Sequence, residues 1–228
     1  MKEFDPVKYK QMVREHQERD DPFGWFDSIY TDAEGDHRAV FWADLAPNPY
    51  LLEWLEKHPK KGSNQKGLKK KAIAIGCGVG DDAEAMAANG YEVTAFDIAP
   101  SAIDLCKNRY PDSKVTYLVA DLFDFPQEWE GTYDLVYECN TIQVLPSKYR
   151  KEAMAAMVSL IANEGEILVS CRSRNKGEEL DAIPLPLDQD EIDGFMDLGL
   201  VEKSFLAYDD DQTPPVPHFF SSYKKEKA

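Results

Sequence analysis

The sequence has no run approaching the roughly 20 apolar residues that cross a bilayer. Its first residues, Met1-Lys2-Glu3-Phe4-Asp5, lack the basic-then-apolar plan of a secretory signal. A cytoplasmic protein with no membrane partner is expected. Cysteine is scarce: Cys77, Cys106, Cys139 and Cys171 are the four, with no Cys-x-x-Cys pair and no histidine at ligand spacing. That argues against a disulfide framework or a zinc site and predicts free thiols and no bound metal. Positive charge is outnumbered, 26 Lys and Arg against 42 Asp and Glu, leaving a net charge of −16. A nucleic-acid partner, whose phosphates call for clustered cations, is therefore not expected. The one basic run, Lys60-Lys61 through Lys69-Lys70-Lys71, lies among Gly, Ser and Asn and reads as a solvated connector.

What is present is an apolar fraction of 43% over 228 residues, enough to bury the core of one domain with an elaboration. No internal repeat is visible. From residue 72 onward strands and helices alternate. Residues 72–75 form a short apolar burst that stops at glycine, as a buried parallel strand does. A helix is predicted over 81–89, closed by Gly90, then a strand over 91–97 and a helix opened by Pro100. Strands follow over 115–119, 133–137 and 166–170, with a helix over 147–161 between the last two. This alternation implies a parallel sheet covered on both faces. The tail breaks the rhythm: a helix over 189–198 precedes two strands, 200–208 and 218–225, with no helix between them, which suggests an antiparallel hairpin. Residues 1–67 are expected to form a cap and linker within the same domain, and 68–228 the core. The cap carries helices over 7–19 and 49–58 and a dense aromatic supply, Trp25, Phe26, Tyr30, Phe41 and Trp42. These aromatics either pack the cap onto the sheet or also wall a site.

The turn Gly76-Cys77-Gly78-Val79-Gly80 carries the chemistry. Closely spaced glycines let the backbone approach a ligand, and the helix that follows presents free N–H groups. Asp97 lies 21 residues after Gly76, at the carboxyl end of the next strand, where a carboxylate can accept from ribose hydroxyls. A dinucleotide fingerprint needs a third glycine where Asp81 stands, and Asp81-Asp82 beside the turn would repel a pyrophosphate. A P-loop is excluded because no Gly-Lys-Ser/Thr follows.

In Ala74 through Gly80, Val93 through Pro100, Ala120-Asp121-Leu122 and Tyr133 through Glu138, the chain resembles the class I S-adenosylmethionine-dependent methyltransferases over about residues 70 to 172. Within them it looks most like the thiopurine, thiol and halide methyltransferases, through Phe41-Trp42-Ala43-Asp44, Pro47-Asn48-Pro49 and Val144-Leu145-Pro146. The family pattern departs at Ala74, where an acidic residue is usual, and at Asn163-Glu164-Gly165, where Pro-Gly-Gly is usual. The resemblance implies an α/β fold: a Rossmann-like, seven-stranded, mostly parallel sheet with a C-terminal antiparallel hairpin and an N-terminal helical cap. It implies S-adenosyl-L-methionine as cofactor, with Gly76, Cys77, Gly78 and Gly80 cradling its amino-acid portion, Asp97 on the ribose, Ile98 on adenine, and Asp121 with Leu122 at the adenine amine. Trp42 is expected beside the cofactor. Asp121, read alone, is equally a turn residue.

Glu138 ends the fourth strand, where the methyl group must be presented. It binds the cofactor, orients an acceptor or takes a proton, or it faces solvent. Methyl transfer needs no covalent enzyme intermediate, so Cys139 is expected to be packed rather than nucleophilic. Trp25, Tyr30 and Trp42 are the candidate wall, and Glu138, His37 and His218 the candidate bases if the acceptor is a hydroxyl or amine. The expected acceptor is a small molecule: a thiol or halide, or else N or O of a metabolite. The alternatives are a non-catalytic cofactor- or partner-binding module, suggested by Asp209-Asp210-Asp211, and a nicotinamide-dependent oxidoreductase.

Overall fold

The computed structural model describes residues 6–19, 21–58, 69–178 and 184–227. Most of the Lys-rich run, and the 67/68 boundary between cap and core, lie outside them. Seven strands form one sheet: β1 (Lys71–Ile75), β2 (Glu92–Asp97), β3 (Thr116–Val119), β4 (Tyr133–Cys139), β5 (Ile161–Arg172), β6 (Leu200–Asp209) and β7 (Pro217–Lys225). Their order is β3-β2-β1-β4-β5-β7-β6, with β7 antiparallel to both β5 and β6. The first five strands run parallel through four neighbour pairs, and the order reverses beside β1, where β2 and β4 leave in opposite directions. In open α/β sheets ligands bind outside the carboxyl ends of strands at such a point.

Side-chain alternation along β1 builds the two faces. Ile73 and Ile75 join Val136, Ile167 and Val169 under α6 (Ser147–Leu160), whose Met154, Met157 and Leu160 are buried. Ala72 and Ala74 join Val93, Ala95 and Leu135 on the opposite face, against Met86 of α4 (Asp81–Ala88) and Ile103 of α5 (Pro100–Arg109). Leu51 and Leu55 of α3 (Pro49–Lys57) join the same cluster. Pro49 starts α3, and the Asn48 side chain accepts from the N–H groups of Tyr50 and Leu51, satisfying two of the otherwise free donors.

A third cluster carries α1 (Pro6–Glu18) and α2 (Trp25–Asp32) onto the core. Val13, Trp25, Ile29 and Val40 meet Val79, Ala99, Ala102 and Leu105, so the cap rests on the glycine turn and α5. The helix expected over 189–198 is instead two single turns, α7 (Gln189–Ile192) and α8 (Gly194–Asp197), broken at Asp193. A Cβ at Gly194 would stand 3.3 Å from the Met154 sulfur, so glycine lets α8 lie against α6.

Trp25 is fully buried and meets Tyr9 and Trp42 edge-on at 5.6 and 6.1 Å. Trp25→Ala is expected to cost about 3–5 kcal/mol in urea unfolding, as for other buried aromatic truncations. A loss below about 1 kcal/mol would show that the cap adds little to the stability of the sheet.

Candidate functional site

The backbone of the turn requires glycine. Gly76, Gly78 and Gly80 have φ of +58°, +54° and +93°, in the left-handed region that side chains disfavour. A Cβ on Gly80 would stand 2.7 Å from the Tyr117 hydroxyl, and one on Gly76 would collide with Thr141. At Gly78 a Cβ would stand 3.3 Å from the Tyr30 hydroxyl, a tight contact with the cap side of the cavity.

Asp97 holds this turn against the end of β2. Its Oδ2 accepts from Gly78 N–H and its Oδ1 from Ala99 N–H, both at 3.0 Å. Burial pushes its carboxyl up to about 6, against the pull of those N–H donors.

The turn opens into a cavity of about 1160 Å³. Gly76, Cys77, Gly78, Gly80, Asp97, Ile98, Asp121, Leu122 and Trp42 all line it. Asp121 also accepts from Phe123 N–H at 2.8 Å, the turn role open to it by sequence. Tyr30 and Trp42 stand together on the cap side, Trp42 Nε1–H donating to the Tyr30 hydroxyl at 3.2 Å. Trp25 does not reach the cavity; it is packing behind Trp42.

Two sequence expectations need correction. Glu138 does not line the cavity: it is wholly buried, and its Oε2 accepts from Thr141 and Ile142 N–H at 3.0 and 3.2 Å, closing the loop after β4. Residue alternation along β4 turns it to the α6 face, while Tyr137 and Cys139, its neighbours, reach the cavity. Its Oε1 has no hydrogen-bond partner among the described residues, and burial pushes the carboxyl up to about 8. His37 likewise lies outside the cavity, in the 3-10 turn His37–Ala39.

The charge attributed to Asp81 is also not free. Arg109 clamps it with two bonds of 2.5 and 2.7 Å, and Tyr110 donates to it at 3.2 Å. Asp82 is half-buried, desolvation pushes its carboxyl up to about 6, and it accepts from Asn48 N–H at 2.7 Å and the Tyr137 hydroxyl at 3.0 Å. The negative character of the cavity comes from the whole lining, which among the described residues has eight aspartates against Lys10 and Arg172. Four of them, Asp44, Asp209, Asp210 and Asp211, were not tied to the site by any motif; the fold brings them in from the cap and the β6–β7 hairpin. Asn48 was equally missed, although its Nδ2 donates to Ser170 at 3.1 Å and so joins α3, α4 and β5. The four cysteines are free thiols, and burial pushes Cys139 upward, away from a reactive thiolate.

Comparison with known proteins agrees with this architecture. Residues 72–165 match the family model described as a methyltransferase domain. Two curated relatives are ubiquinone biosynthesis O-methyltransferases. That of Aromatoleum aromaticum is 28% identical over 56% of this chain and 52% of its own length; that of Xanthomonas axonopodis pv. citri is 26% identical over 70% and 62%. The chain spans about half to three-fifths of these relatives. Among solved structures, the Burkholderia thailandensis 1,6-didemethyltoxoflavin-N1-methyltransferase, with bound S-adenosylhomocysteine, superposes with a TM-score of 0.67 at 15% identity, over 100% of this chain and 93% of that one. The N-methyltransferase NodS of Bradyrhizobium japonicum gives 0.60 at 19%, over 87% and 99%. The narrower likeness to thiopurine, thiol and halide methyltransferases finds no support in these relatives.

A carboxyl whose folded value of about 8 exceeds the ordinary 4.5 stabilises the fold only while protonated. Stability contributed at Glu138 is therefore complete below about pH 4.5 and is lost as pH rises to about 8, by up to about 1.4 kcal/mol per unit. Glu138→Gln, neutral throughout, should gain on the wild type steadily between pH 5 and 8 in urea unfolding. Parallel stability curves would refute the buried, protonated carboxyl.

Proposed function

We propose that this protein transfers the methyl group of S-adenosylmethionine to an oxygen or nitrogen of a small molecule. The observation that carries this reading is the left-handed glycine turn facing a cavity, with Asp97 buried at the end of the next strand. The residues fit the cofactor: Gly78 leaves open the space that a Cβ would fill, and the acidic lining suits a ligand bearing an ammonium and a sulfonium. Gly76, Cys77, Gly78 and Gly80 would hold its amino-acid end, Asp97 its ribose, and Ile98, Asp121 and Leu122 its adenine, with Trp42 beside it. When bound, the cofactor supplies an activated methyl group on a good leaving group.

The protein's own contribution is placement and dryness. A cavity of about 1160 Å³ exceeds a typical single-ligand site, leaving room for an acceptor beyond the glycine turn. Tyr30 and Trp42 wall it from the cap, and the loop after β4 closes it from the sheet. Holding two reactants in line there converts a bimolecular encounter into a local one. The names of the curated relatives support oxygen as the acceptor atom, and those of the structural neighbours support nitrogen. A nicotinamide dinucleotide is disfavoured by Asp81 at the third-glycine position and by the acidic cavity.

Calorimetry should show S-adenosylhomocysteine binding, weakened by about 10- to 100-fold in Asp97→Asn, the equivalent of one or two lost charge-assisted bonds. Binding of a nicotinamide dinucleotide with no heat from S-adenosylhomocysteine would overturn the reading.

A further inference from the structure

Beyond the glycine turn, the far half of the cavity contains one row of side chains defined by sheet register. Arg172 of β5 pairs directly with His218 of β7, and His218 with Tyr208 of β6. Directly paired residues share a face, and all three line the cavity. The Tyr208 ring stacks on the imidazole, centroids 5.4 Å apart at 18°. His218 is 8% exposed, and its Nδ1 lies 2.8 Å from the Val216 carbonyl. A carbonyl only accepts, so Nδ1 carries the proton and Nε2 keeps its lone pair. No described protein group bonds Nε2. Asp210 accepts from Val216 and Gln212 N–H, fixing the loop that presents the carbonyl, and its Oδ2 stands 3.9 Å from Nδ1.

We propose that His218 is the general base of the methyl transfer, taking the proton from a hydroxyl on an aromatic acceptor, with Arg172 facing the oxygen as it ionises. The inference rests on the methyl-transfer reading and assigns its acceptor as a phenolic hydroxyl. Tyr9, Phe41 and Tyr50 offer the ring an aromatic wall. The acceptor's O–H proton passes to Nε2, the oxygen bonds the methyl carbon, and the methyl–sulfur bond breaks with its electron pair staying on sulfur. The products are the methyl ether, S-adenosylhomocysteine and an imidazolium, which Asp210 stabilises from the Nδ1 side and which returns its proton to solvent. The charged groups that share the lining with the ring include Arg172, Asp44, Asp210 and Asp211.

The test uses the full chain and 4-nitrocatechol, whose visible absorption reports ionisation of its hydroxyl, with no methyl donor present. Bound to the wild type, it should ionise at least about one pH unit lower than in water. His218→Asn keeps an N–H for the Val216 carbonyl but lacks the Nε2 lone pair; Arg172→Met lacks the facing charge. Both should retain S-adenosylhomocysteine affinity, as a check on folding, and lose most of the shift. With the methyl donor added, His218→Asn should lower kcat about 100-fold or more for catechol but less than about tenfold for pre-ionised 4-nitrocatechol. An unchanged shift in His218→Asn, an equal kcat loss for both acceptors, or no binding of 4-nitrocatechol overturns the proposal. If S-adenosylhomocysteine still binds in those cases, the methyl-transfer reading stands. If it does not bind the wild type, that reading itself fails.

Discussion

Two hydrogen bonds to one buried carboxylate organise the site. Asp97 sits at the carboxyl end of β2 and holds Gly78 N–H, from the turn after β1, and Ala99 N–H, at the start of α5. Without it, two backbone donors would be left unpaired near a cavity. The same carboxyl is nearly desolvated, which its raised value records. A group in that condition gains from a ligand that brings hydroxyl donors to it.

The cap is coupled to this centre through packing and through hydrogen bonds, among them Asp27 accepting from Ser101 N–H of α5. Trp25, Ile29 and Tyr30 lie on Val79 and α5, so the turn cannot shift without disturbing the aromatic cluster. Asn48 caps α3, donates its N–H to Asp82 at the start of α4, and reaches Ser170 on β5. The cap therefore forms one wall of the cavity while being bonded to two elements that form the others. On the far side, Gln143 bonds the backbone of Arg172 and accepts from Leu185 N–H, tying the loop after β4 to β5 and to the segment leading into α7, where Arg150 and Arg174 share Glu191.

The local pattern carried far. Glycine ends to strands, prolines opening helices and short apolar bursts placed the five parallel strands and the terminal hairpin, because each depends on a few neighbouring residues. Gly76, Gly78, Gly80 and Asp97 were legible for the same reason: left-handed backbone demands glycine, and strand spacing puts the acid beside it. Glu138 was not, because one residue of register decides whether a side chain on β4 meets the cavity or the α6 core.

By itself the sequence determined the sheet, the glycine turn and the kind of ligand such a turn accepts, since these follow from backbone conformation and residue period. Only the tertiary structure decided which charges face that ligand. Asp81, adjacent to the turn, is neutralised by Arg109 from α5, whereas Asp44, Arg172, Asp210 and His218, scattered over the chain, converge on one cavity. Electrostatics acts through space, and chain separation says nothing of which partners burial will leave a side chain.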